Sequence, residues 1–105
     1  MDFNEIIAQM AQAIKGVVKE DWNVVKGTAN DLLDDAKGRL QLLVTMRLDG
    51  EISEDNFKQR LKNEELILES NLHAIAIITK AVAQSAANAA INVLEKAVSS
   101  LLRIP

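Results

Sequence analysis

A chain of 105 residues with 49% hydrophobic and 26% charged residues has the balance of a folded protein, which excludes a disordered tail. Its net charge is −3, and its 12 basic and 15 acidic side chains are interspersed along both halves, so it has no basic patch with which to grip a nucleic-acid backbone. The absence of cysteine removes disulfides, thiolate zinc sites and thiol nucleophiles together.

The apolar content is Ala, Leu, Ile and Val, with Phe3, Trp22 and Phe57 as the only aromatics, so the core has to be built from many small aliphatic contacts. That suits helices. One proline, Pro105, and four glycines leave almost nothing to interrupt helix, whereas a sheet protein of this size would need many turn signals. The start, Met1-Asp2-Phe3-Asn4-Glu5, carries acids where a secretory signal carries Lys or Arg, and a cytoplasmic location is expected. The longest uncharged run, Ala81 to Leu94, is 14 residues and includes Gln84, Asn88 and Asn92, too short and too polar to span a bilayer.

In the first half, Phe3, Ile7, Met10, Ile14, Val18, Val25, Ala29, Leu32, Ala36, Leu40 and Leu43 recur at steps of three, four or occasionally seven, which places them on one helical stripe. Lys15-Gly16, Lys26-Gly27 and Lys37-Gly38 repeat at intervals of eleven residues, a period that keeps equivalent positions almost in line. The three glycines project opposite the Ile14, Val25 and Ala36 stripe, on the polar face, where each costs about 1 kcal/mol against Ala. A break near Gly27-Thr28-Ala29-Asn30, with Asn30 capping a new helix, is the main alternative to one continuous helix and would give a three-helix domain.

The clearest punctuation is Leu48-Asp49-Gly50-Glu51-Ile52-Ser53. Ser53 suits an N-cap, Glu54 and Asp55 suit the positive end of a helix dipole, and Ile52 with Phe57 has the spacing of a hydrophobic staple. The segment from Asp49 through Phe57 also resembles the second part of an EF-hand calcium loop. The ligands do not follow, because Thr45, Arg47 and Asn56 stand where calcium requires carboxylates, and it reads as a capped turn.

In the second half, Phe57, Leu61, Leu68, Leu72, Ile75, Val82, Ala86, Ala90, Val93, Ala97 and Leu101 form a second stripe, but Leu66, Ile67, Ile77, Ile91 and Leu102 lie well off it. A helix apolar on more than one side is normally buried by more than one neighbour. The expected architecture is therefore an all-α, long antiparallel helical hairpin (helix about 3–48, turn 49–52, helix about 53–102, each helix roughly 65–70 Å long) that completes a four-helix bundle by homodimerisation. Leu68, Leu72, Ile75, Ile77, Val82, Ala86, Ala90 and Ile91 are the expected interface.

Three constellations bear on function. Asp21 projects onto the apolar stripe, and an antiparallel pairing about the Gly50-Glu51 corner brings it level with Lys80, so the two are expected to form a register-fixing ion pair. Arg47, near the corner, is within reach of Glu54. Glu65, Glu69 and His73 form an oblique row that is a weak metal candidate, since the Glu-to-His spacing of four differs from the three used by carboxylate-bridged di-iron bundles. Trp22 reads as core at the end far from the turn, with a partner hot spot as the sharper option.

No nucleophile and base pair emerges, so neither enzyme activity nor a cofactor is expected. The leading expectation is a non-enzymatic self-assembly or protein-interaction module, whose partner is a second copy or another helical protein. An amphipathic membrane-surface protein comes second, on the eleven-residue repeat with its lysines. A small ferritin-like metal-binding protein comes third, on Glu65, Glu69 and His73 alone.

Overall fold

A computed structural model describes residues 2–102. Asp2 opens the first helix, α1 (Phe3–Val18), by accepting from the amides of Asn4 and Glu5, which satisfies two donors that the helix itself leaves free. Phe3, Met10, Ile14 and Val18 of the predicted stripe are buried along one face, with Ile6 buried beside them and Ile7 half-buried.

That helix does not run on to the corner. At Lys19 the backbone enters the left-handed region, with φ 55°, its amide returns to the Lys15 carbonyl, and a 3₁₀ turn over Lys19–Asp21 reverses the chain into α2 (Trp22–Leu48). Helices α1 and α2 lie antiparallel, with the Lys37 ammonium donating to the Asn4 side chain. The expected helix over 3–48 is therefore two helices, and the break falls before Gly27, which sits inside α2. The reason is burial: the stripe skips from Val18 to Val25, and the half-buried Asp21 stands in the gap where a straight helix would have to bury a carboxylate.

The corner at 49–52 forms as expected. Gly50 adopts φ +78°, its amide donates to the Arg47 carbonyl and that of Glu51 to the Met46 carbonyl, the paired bonds of a Schellman ending. Ser53 caps α3 (Glu54–His73) by accepting from the Asn56 amide, and Ile52 and Phe57 are both buried beside it. Arg47 does not reach Glu54: the carboxylate pairs with Lys58, and the buried Arg47 Nε finds no partner among the described residues.

The second half also divides. After His73 the chain leaves the helix through residues 74–79 and re-enters it as α4 (Lys80–Leu102), with the Thr79 hydroxyl accepting from the Val82 amide. Ile78 is buried at this connection, and a β-branched Ile77-Ile78 pair disfavours helix slightly while Thr79 offers a cap. The expected helix over 53–102 is thus also two.

The four helices pack in a cycle, each against its sequence neighbours, with α4 closing on α1 along the most extensive seam. Ala83, Ala86, Ala87 and Ala90 are fully buried in α4, and their small side chains let α1 approach closely. The molecule measures 43 × 22 × 20 Å, the length of α2 alone rather than of a 65–70 Å rod, and its radius of gyration of 13.7 Å compares with about 13 Å for a compact chain of this length. The four-helix packing expected from two hairpins is supplied by a single chain.

The glycines separate into two kinds, and this is testable by urea unfolding. A Cβ at Gly16, Gly27 or Gly38 meets open space, so each Gly→Ala change should stabilise by about 0.5–1 kcal/mol. Gly50→Ala should destabilise by about 1 kcal/mol, because its backbone is left-handed.

Candidate functional site

The residues that the sequence nominates for function are mostly consumed by the fold. Leu68, Leu72, Ala86, Ala90 and Ile91, expected at a dimer interface, are buried inside the chain's own bundle, because α1 covers the face of α4 that a second hairpin was expected to cover. Ile75 and Val82 are half-buried, and of the set only Ile77 stays exposed. Asp21 and Lys80 form no ion pair: Asp21 lies in the turn between α1 and α2, and Lys80 is exposed at the start of α4. Trp22 is half-buried against the core at the first position of α2.

The metal candidates are separated by their partners. Glu65 is the buried charged residue of the bundle, and its carboxylate accepts from Asn88 on α4 at 3.0 Å and from Lys62 at 2.7 Å. Asn88 is held in turn by Asn92 at 3.1 Å. Glu69 is half-buried and His73 exposed, and among the described residues no three such side chains come together to hold an ion. Glu65 is better understood as a polar pin between α3 and α4. Its hydrogen bond and then its charge raise the pKa of the exposed Lys62, which favours the ammonium form, a contribution that is lost as pH rises through the raised lysine value.

Packing is least extensive between α2 and α3, and there the surface opens. A cleft of about 300 Å³ lies between them, floored by Met10, Leu33, Leu40, Leu68 and Ile91, so side chains from all four helices meet beneath it. A second cleft of about 280 Å³ continues towards the corner, lined by Leu42, Leu43, Met46, Arg60 and Asn63. Arg39 and Glu64 line both, and they bridge the groove between them with two hydrogen bonds, Nε to Oε1 at 2.9 Å and Nη2 to Oε2 at 3.0 Å. The Glu64 hydrogen bond, then its charge, raises the Arg39 pKa.

No protein-family model, curated protein or solved structure matches the chain.

What the groove offers is therefore read from its own chemistry. Leu42 is 61% exposed and Ile67 49%, one on each wall, and Asp35 and Arg60 add charge of both signs to the rim that Arg39 and Glu64 already carry. An open groove of apolar walls, with a bidentate ion pair across its middle, is suited to receiving apolar side chains between orienting charges. A depression along α4 at Glu95, Lys96, Ser99 and Ser100 belongs to one helix and has no opposing wall. Sequence reasoning places Ile67 off the main stripe but does not find the groove, because Leu42 and Ile67 come to line one seam only once α2 and α3 are paired.

Two substitutions separate the roles of the α3–α4 pin. Asn88→Ala strips a donor from a buried carboxylate and should destabilise by about 1–3 kcal/mol, whereas Glu65→Met removes the charge itself and should be neutral or stabilising by about 1 kcal/mol. Urea midpoints at constant m-value decide between these signs. A double-mutant cycle on Arg39 and Glu64 should give only about 0.5 kcal/mol of coupling, because Arg39 is mostly exposed.

Proposed function

We propose that this chain is a non-enzymatic helical interaction module that associates with a second copy of itself through the α2–α3 groove. The observation that carries the reading is an apolar groove with two exposed aliphatic side chains, Ile67 in one cleft and Leu42 in the other, on opposite walls and on either side of the Arg39–Glu64 bridge. A two-fold interface places the same patch against itself, so a patch holding one sign of charge would repel its copy. This rim holds both signs, Asp35 and Glu64 with Arg39 and Arg60, which lets each copy set its acids against the other's bases.

Size limits the strength. The groove runs along α2 from Leu32 to Met46, roughly 21 Å at the usual helical rise, a face at the low end of what specific dimers bury. Association at micromolar concentration follows, with a monomer stable by its own core. This differs from an obligate dimer, which would lose its fold on dissociation.

Sedimentation velocity across a concentration series tests the reading. The expected result is a concentration-dependent monomer–dimer equilibrium that Leu42→Asp and Ile67→Asp each abolish, with helix content and thermal midpoint unchanged because both positions are exposed. A chain that remains monomeric at the highest soluble concentration would sink the proposal, as would a dimer indifferent to both substitutions. A groove that captures an amphipathic helix of another protein, while the free chain stays monomeric, also rejects the second-copy reading.

A further inference from the structure

We propose that one end of the bundle, formed by the Lys19–Asp21 turn, the first turn of α2 and the 74–79 connection, docks onto an anionic lipid surface. Connectivity puts these segments together. The turn over 19–21 joins α1 to α2 at one end, α2 runs to the Gly50 corner at the other, α3 returns, and the chain reverses again through 74–79 before α4 closes on α1.

The first observation is what the 74–79 connection exposes. Surface connections are normally rich in polar turn residues, yet Ala74-Ile75-Ala76-Ile77-Ile78 carries no polar side chain over five positions. Ile78 is buried and Ile75 half-buried, so these two tie the connection to the core and leave Ile77 standing out at 47% exposure. At the same end Val24 is 62% exposed on the first turn of α2, two positions after the half-buried Trp22.

The second observation is the charge around these apolar tips. Lys19, Lys26 and Lys80 are exposed, with the exposed His73 beside them, against exposed Glu20 and half-buried Asp21. None of the three lysines takes part in an ion pair among the described residues. Counting one turn into each helix, Lys15, Lys19, Lys26 and Lys80 outnumber Glu20, Asp21 and Glu69, so a chain with net charge −3 turns a slight cationic excess towards this end.

This combination selects lipid over protein. Protein interfaces are depleted in lysine, whereas this end exposes Val24 and Ile77 beside three lysines without ion-pair partners among the described residues. Anionic headgroups reward such lysines, and isolated aliphatic tips with a tryptophan beside them suit the boundary between headgroups and acyl chains. The bundle would stand on the surface by its end, which differs from a helix lying flat in it and leaves the α2–α3 groove free.

Trp22 is the only tryptophan, so its emission reports on this end directly. The full chain is mixed with vesicles of phosphatidylcholine alone and with vesicles containing phosphatidylserine, and binding is read by co-sedimentation and by the Trp22 emission maximum. The expected result is binding to the anionic vesicles alone, with a blue shift, weakening as salt is raised. Ile77→Asp and the double change Lys19→Glu with Lys80→Glu should each reduce binding by about tenfold, judged from the loss of one apolar anchor or of the lysine charges. Val24→Asp is an independent second test, and circular dichroism establishes that every variant is folded. Leu42→Asp, in the groove, should bind vesicles as the parent does. No binding by the parent chain, equal binding to zwitterionic vesicles, or undiminished binding by folded Ile77→Asp and Val24→Asp variants would each overturn the proposal. Loss of vesicle binding in Leu42→Asp with retention in Ile77→Asp would do so too, by placing the lipid contact in the groove.

Discussion

The structure depends on covering α4. Ala83, Ala86, Ala87, Ala90, Ile91, Leu94 and Val98 are each no more than 3% exposed, and they occupy an arc too broad for one antiparallel partner to shield. With α3 alone beside it, half of that arc would face water at about 25 cal/mol per Å² of apolar surface. The chain avoids this by breaking its first half, so that α1 folds back and seals the far side of α4. The cost is a lysine in left-handed backbone and a few helical hydrogen bonds at each reversal, which amounts to a few kcal/mol. Burial along α1, α2 and α4 outweighs it because every layer of the bundle gains a fourth side chain. Met10, Leu33, Leu68 and Ile91, one from each helix, meet beneath the same cleft.

Much of this is legible in the sequence. Every member of the two apolar stripes is buried or half-buried, and the corner at Gly50 with its Ser53 cap lies where the residues place it. Register was close as well: a reversal about Gly50-Glu51 sets Arg39 opposite Lys62, and the structure sets it on Glu64, within a turn. The breaks are not legible, for a specific reason. Each stripe takes seven-residue steps, Val18 to Val25 in the first half, Leu61 to Leu68 and Ile75 to Val82 in the second. Two of these gaps are reversals, and the third stays helical because Glu65 fills it and is satisfied by Asn88 and Lys62. A gap in an apolar stripe therefore marks either a reversal or a buried polar pin. Glycine, which drew attention to residue 27, marks neither here: Gly16, Gly27 and Gly38 all face solvent inside helices.

The groove and the lysine-bearing end were hidden for a different reason. Periodicity reports which side of one helix is oily, but exposure at a seam depends on how deeply its neighbours interdigitate, and that is a property of pairs. Ile67 reads only as an off-stripe residue of its own helix and Leu42 draws no notice, and only the sparse α2–α3 packing leaves both exposed along one seam. Likewise Val24 and Ile77 stand far apart in the chain, and only two reversals at the same end bring them together. Most of the residues expected at an interface are covered by the chain itself for the complementary reason, since the oiliest positions are those the fold most needs for its own core.

The Arg39–Glu64 bridge shows how the two levels of organisation are coupled. It spans the least packed seam with a planar, bidentate pair, a geometry that fixes spacing as well as supplying attraction. Exposed as it is, it adds little to stability, so its effect is on shape: it holds the walls of the groove at a set separation where side-chain packing alone does not. The α3–α4 seam is pinned by Glu65 and Asn88, and the α1–α4 seam by small residues in close contact. Three seams of this bundle are therefore closed by three different means, apolar contact, a part-buried hydrogen bond and a solvent-facing ion pair. Only the last lies at the surface, which leaves the α2–α3 seam the most open of the three.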